Sequence, residues 1–143
     1  MPTLAELGDA VTAALNGSEF SLPFTAARTH LARVNLDDHP QLGVYVIAAR
    51  LAAERVSFEG WQDDHTIQVM LYEKPAAAVN DAWLDAMVAL AEEVLLYLRD
   101  QVLLSLPCVA IEFNAEGARA LDLDELESRG AFCSVINATY REA

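Results

Sequence analysis

Residues 80–104, NDAWLDAMVALAEEVLLYLRDQVLL, decide how this chain folds, because no other stretch carries so strong a periodic signal. Asn80 and Asp81 have the character of an N-cap and an acidic first turn, placed after the helix-breaking Pro75. Leu84, Val88, Ala91, Leu95, Leu98 and Val102 recur at alternating steps of four and three residues, which is one seam of an α-helix. Trp83, Met87, Leu90, Val94 and Tyr97 form a second seam beside it. Asp85, Glu92, Glu93, Arg99 and Asp100 hold the opposite face. The pattern predicts a helix reaching Leu104, with an apolar arc wide enough to be covered from two sides.

Ala82, Ala89, Leu96 and Leu103 also recur at intervals of seven, along the charged stripe of that wheel. Leu96 has Glu92, Glu93, Arg99 and Asp100 three or four residues away. Single exposed leucines are common on folded surfaces. The other reading makes Leu96 and Leu103 anchors of a contact between subunits, with the surrounding charges as its rim.

Before the helix, Thr3-Leu4-Ala5-Glu6 has the form of a capping box. Leu4, Leu7, Val11, Ala14 and Leu15 line one helical face, and Asn16-Gly17 stops it. From Phe20 the period changes to two, with Phe20, Leu22, Phe24 and Ala26 alternating with polar residues and Pro23. That pattern predicts a strand, continuing through His30, Ala32 and Val34, which Pro23 confines to an edge or a bulge. Asn35 to Pro40 is turn-rich. Gly43 to Arg50 and His65 to Lys74 are strands, and Leu51 to Asp64 between them is an extended hairpin excursion. Cys108 to Phe113 is a short strand, Asp122 to Ser128 one or two helical turns before Gly130, and Ala131 to Tyr140 the last strand. The order α-β-β-β-α-β-(α)-β predicts one α+β domain over residues 1–143, with a mostly antiparallel sheet of about five strands packed against a long helix and an N-terminal helix.

The chain has 143 residues, 54% of them apolar, a mean hydropathy of +0.21 and a net charge of −13 from 22 acidic and 9 basic side chains. No apolar run approaches the roughly 18 residues of a membrane span. The first residues lack the basic and apolar regions of a secretory signal, so neither a membrane nor an export route is expected. The charge argues against phosphate-neutralising contacts with nucleic acid. Excess apolar surface is accommodated by burial against other subunits or by a generous core. Cys108 and Cys133 lie in apolar strands and read as reduced, buried thiols.

Signals for chemistry are thin. The sequence has no P-loop, dinucleotide fingerprint, CxxC pair or HExxH. Asp37-Asp38-His39 and Asp63-Asp64-His65 are its recurring metal-capable triplets. If the second and third strands pair antiparallel, the two triplets fall at opposite ends of the sheet, so turn chemistry accounts for them better than a shared ion. His30 reads as a surface residue, Ser134 lacks a nucleophile elbow, and the acidic run at Asp122, Asp124, Glu125 and Glu127 reads as a solvated helix face. No catalytic residue, metal or cofactor is expected. Arg50, Arg55, Phe58 and Trp61 mix cationic and aromatic side chains in the excursion, a composition favoured at interfaces.

Several stretches together resemble a family of small phage and prophage neck proteins, similar in plan to the tail terminators and tail-completion proteins of long-tailed phages. They are Phe24-Thr25-Ala26-Ala27-Arg28, Leu36, Val44-Tyr45-Val46, Ile67-Gln68-Val69, Leu90-Ala91-Glu92-Glu93-Val94, Phe132-Cys133-Ser134-Val135 and Thr139-Tyr140-Arg141. Residues 51–62 depart from the pattern, lacking a Ser-Arg pair there. The resemblance implies a virion protein of the neck, a homo-oligomeric ring, typically of six copies, joining the tail tube to the head connector. DNA would pass through it without specific binding, and the protein would stand in the host cytoplasm during assembly. A small cytoplasmic dimer that binds a ligand or regulates another protein is the alternative, and it differs by not forming rings or tubes.

Overall fold

In the computed structural model, residues 2–29, 41–58, 60–75 and 79–141 are described. The readings made for His30 to Pro40, including Leu36 and the Asp37-Asp38-His39 triplet, lie outside them, as does Glu59. Thr3 caps α1 (Leu4–Asn16), its hydroxyl accepting from the Glu6 amide. Asn80 caps α2 (Asp81–Arg99) in the same way, accepting from the Trp83 amide at 2.9 Å. Between them lie β1 (Ala26–Thr29), β2 (Gly43–Ser57) and β3 (Gly60–Glu73). After α2 come β4 (Val102–Leu103), β5 (Leu106–Phe113), a 3-10 turn at Glu116–Ala118, α3 (Leu123–Arg129) and β6 (Phe132–Arg141).

Among the described residues the strands form one six-stranded sheet in the order β1-β2-β3-β6-β5-β4. The α+β class holds, but the sheet is mixed rather than simply antiparallel, because β1 runs parallel to β2. The sixth strand is β4, in residues expected to be helical. α2 ends at Arg99, where the Asp100 and Gln101 amides bond back three residues to Tyr97 and Leu98 and tighten the last turn. Val102-Leu103-Leu104 is a short apolar run, which periodicity alone cannot assign to helix or strand. Leu103 therefore does not sit on the charged face of a helix. It lies on β4, half-buried against the core.

Alternation sorts each strand into two faces. Val44 and Val46, Ile67, Val69 and Leu71, and Phe132, Ile136, Ala138 and Tyr140 point to the helices. α1 covers β1 to β3 with Leu7, Val11 and Leu15, and α2 covers β5 and β6 with Met87, Leu90, Ala91, Val94 and Leu98. α1 approaches closely at Gly8, where a Cβ would stand 3.1 Å from the Arg28 side chain. The back of the sheet carries a smaller cluster of Met70, Tyr72, Ala131 and Cys133, with Tyr45 and Val135 beside it.

The wide apolar arc of α2 is met from two sides, as its double seam requires. The sheet takes one side and residues 18–25 the other. Phe20 stacks on Phe24 at 5.3 Å and meets Tyr97 edge-on at 5.5 Å, and the Ser21 hydroxyl and amide donate to the Glu93 carboxylate. This segment shows the period-two pattern of a strand but is not one before Ala26. Its apolar residues face a helix rather than a sheet neighbour, and Pro23 has no amide to donate to a ladder. β1 takes the edge position that Pro23 called for.

The excursion is a continuation of β2 and β3. Their ladder runs from Gly43↔Tyr72 to Ser57↔Gly60, with irregularities between Ala48 and Arg50 and between Arg55 and Ser57. Asp63-Asp64-His65 is thus strand, not turn.

Two backbone features mark the ends of elements. Gly130 is left-handed (φ 63°) and closes α3, its amide donating to the Leu126 carbonyl. The two-residue β4–β5 turn is left-handed at both positions, Leu104 (φ 51°) and Ser105 (φ 66°). Such a turn normally takes Asn-Gly, because a left-handed residue with a larger side chain costs about 1–2 kcal/mol.

Candidate functional site

Beyond Arg50 the hairpin leaves the body of the protein. Every described residue from Ala49 to Phe58 is exposed, so both faces of this two-stranded arm meet solvent. From Leu51 to Ser57 it is roughly 23 Å long at about 3.3 Å per residue. Its surface is apolar at intervals: Leu51, Val56, Phe58 and Trp61 are all exposed, Phe58 by 96% and Trp61 by 63%. Arg55 organises the tip. Its guanidinium donates to the Ser57 and Phe58 carbonyls at 3.2 and 2.9 Å and lies 5.5 Å from the centre of the Trp61 ring. Phe58 is left free at the end.

The sequence-derived candidates therefore fall into two groups. Arg50, Arg55, Phe58 and Trp61 share the arm. Leu96 is 46% exposed near the end of α2, on another part of the molecule. Leu103 joins neither group, because it faces the core.

A device not foreseen from sequence holds the base of the arm. Asp64 and Arg141, paired across β3 and β6, make a bidentate bridge at 2.7 and 3.0 Å. Only their cross-strand register brings together two residues that are 77 apart in sequence. The guanidinium hydrogen bonds hold the Asp64 carboxyl below the ordinary carboxylate value, against an opposing effect of partial burial. Between the lowered value and the unfolded value near about 3.9 the native state binds fewer protons than the unfolded chain, so stability rises with pH there. The contribution is complete at neutral pH and is lost as pH falls through that window. Asp64→Asn is expected to lower stability at pH 7 and to flatten the acid limb below about pH 4. Urea titrations at several pH values check this, and curves that differ by the same amount at every pH would refute it.

Neighbouring His65 is fully buried on the helix side, opposite Tyr140 on β6. Burial also raises both thiols, Cys133 to about 12 with Asp122 and Glu125 adding to the effect, so neither cysteine is a poised nucleophile. Both cysteines are free. A cleft of 560 Å³ opens between residues 114–124 and β6, lined by Asn114, Glu116, Arg119 and Asp122 with Cys133 and Val135. Among the described residues no cluster of three His, Cys, Asp or Glu could hold a metal ion, and no helix is long and apolar enough to cross a membrane.

No protein-family model matches the chain, and no curated protein is significantly similar to it.

Proposed function

We propose that this protein is a structural subunit of a phage neck, a tail terminator-like protein whose copies form a ring joining the tail tube to the head connector. The observation that carries the reading is the arm. An isolated two-stranded ribbon is marginal in water, and this one presents Leu51, Val56, Phe58 and Trp61 with no core beneath them. Such a surface suits burial against another subunit. The net charge of −13 supports the same reading, since carboxylates around a ring's opening repel phosphates and let DNA pass without adhering. The partners are further copies of the chain, a tube protein and a connector protein. The role is mechanical rather than catalytic, and its place is the assembled virion.

The test is to replace Glu54–Gln62 by Asn-Gly, a pair suited to a tight turn that leaves Ala53 opposite Asp63. The variant is expected to unfold at the temperature of the parent monomer yet to sediment only as a monomer, while the parent forms rings or tubes. Rings from the shortened protein would make the arm an ordinary surface loop. A parent that stays dimeric would favour a small regulatory module instead.

A further inference from the structure

We infer that the arm is a hinged ribbon, with its joint at the Ala48–Arg50 bulge of β2, and that Arg141 at the end of β6 is the latch that keeps it ordered. The inference concerns the single chain and is independent of what the arm meets.

The joint is visible in the ladder. β2 is in register with β3 up to Ala48↔Ile67 and again from Arg50↔Thr66, with Ala49 as the extra residue between them. A bulge of this kind leaves one residue unpaired and bends its strand. Among the described residues, β1 supports β2 only as far as Ile47, just before the irregularity. β1 is itself tied at its far end, where the Asn16 side chain accepts from the Ala26 amide at 2.7 Å and donates to the Ala26 carbonyl at 3.0 Å. On the other side β6 supports β3 as far as Asp64, which stands opposite Ala52 and so past the joint. Arg141 is the described residue of the body that reaches furthest along the arm.

Its side chain extends the hold. The guanidinium bonds the Asp64 carboxylate at 2.7 and 3.0 Å, and Gln62, with its amide oxygen turned to the guanidinium, accepts from Nη1 at 2.9 Å. Gln62 lies two residues nearer the tip than Asp64, on the same face and opposite Glu54. The Arg141 hydrogen bonds, with smaller help from Arg50, hold the Asp64 carboxyl below its ordinary value. The Asp64 hydrogen bonds, with smaller help from Glu54, raise the Arg141 guanidinium in turn. Cations and carboxylates thus alternate across the base of the arm. Arg55 bonds only within the tip, and among the described residues no other side chain from Leu51 to Asp63 is bonded to the body.

A two-stranded ribbon stands near break-even between ordered and frayed states in water. At such a balance one bidentate, charge-assisted contact decides the population.

The test compares the parent with Arg141→Gln, which removes the fork, and with Gln62→Ala, which removes only its forward reach and leaves the Asp64 bridge. Each is measured at a dilution where it sediments as a monomer. In Arg141→Gln, trypsin cleavage after Arg55 and hydrogen exchange of the paired amides from Leu51 to Arg55 are expected to be about tenfold faster. Exchange from Gly43 to Ala48, before the joint, is expected to rise no more than the loss of global stability in urea explains. Gln62→Ala is expected to show a smaller change of the same kind with the urea midpoint unaltered. Arg141→Lys keeps the charge without the fork and is expected to restore protection only in part. Should Arg141→Gln fold poorly, Gln62→Ala carries the test. Arm cleavage and exchange at the parent's rates in both variants would overturn the latch. So would a loss of protection in Arg141→Gln confined to β3 and β6, because Arg141 would then serve the sheet and not the arm. Neither outcome alters the assembly reading, which the shortened protein tests.

Discussion

Leu90→Ala is expected to destabilise the folded chain by about 2–5 kcal/mol, with the melting temperature falling by about 2–4 °C for each kcal/mol. Leu90 is fully buried at the middle of α2, between the sheet and the helix axis, with Met87, Ala91 and Val94 around it. Alanine removes the apolar burial and leaves a cavity that the rigid β5–β6 surface cannot collapse to fill. A domain of this size is stable by only about 5–15 kcal/mol, so the loss takes a substantial share of the margin. Chemical denaturation with the slope unchanged is the appropriate measurement. A loss below about 1 kcal/mol would mean that α2 packs less tightly than its burial indicates.

Six residues along the same helix the expected result is reversed. Leu96→Glu should leave the monomer's melting temperature within a degree or two while weakening assembly sharply. The side chain is nearly half exposed and takes no part in the core. The change adds a carboxylate four residues from Glu92 and from Asp100, a like-charge effect of about 0.2–0.5 kcal/mol per pair. Leu96→Lys separates the causes. Lysine makes favourable pairs at those same spacings, so a lysine variant that is at least as stable but equally unable to assemble assigns the loss to the missing apolar contact. Assembly restored by lysine would assign it to charge. A large drop in melting temperature for both would place Leu96 inside the fold.

How far the sequence could be read depended on which physical signal each element carries. α1 and α2 announce themselves by caps, Thr3 and Asn80, which act on neighbouring amides and so are written locally, whereas the Asp122 cap of α3 emerged only in the structure. Strands β2, β3 and β6 follow from alternation that one buried face enforces. Val102-Leu103 failed because both helical and strand patterns admit apolar residues there, and a two-residue strand has no period to detect. Phe20 to Phe24 failed because alternation reports that one side is buried, not that the neighbour is a strand. The arm was legible as an excursion, but its continuity with β2 and β3 was not, since exposed strands carry no burial pattern. Asp64 with Arg141, and the edge-closing Asn16, depend on contacts across the fold that spacing does not encode.

The position of β6 bears on how the subunit is made. The last strand of the chain lies in the interior of the sheet, hydrogen-bonded to β3 on one side and β5 on the other. During translation, β2, β3, α2 and β5 emerge before the strand that unites them, so two half-sheets wait with adhesive inner edges until residues 132–141 leave the ribosome. The two halves of the sheet acquire their relative placement only when β6 inserts. Folding of the sheet as one unit therefore waits on residues 132–141, because β2 and β3 are joined to β5 only through β6.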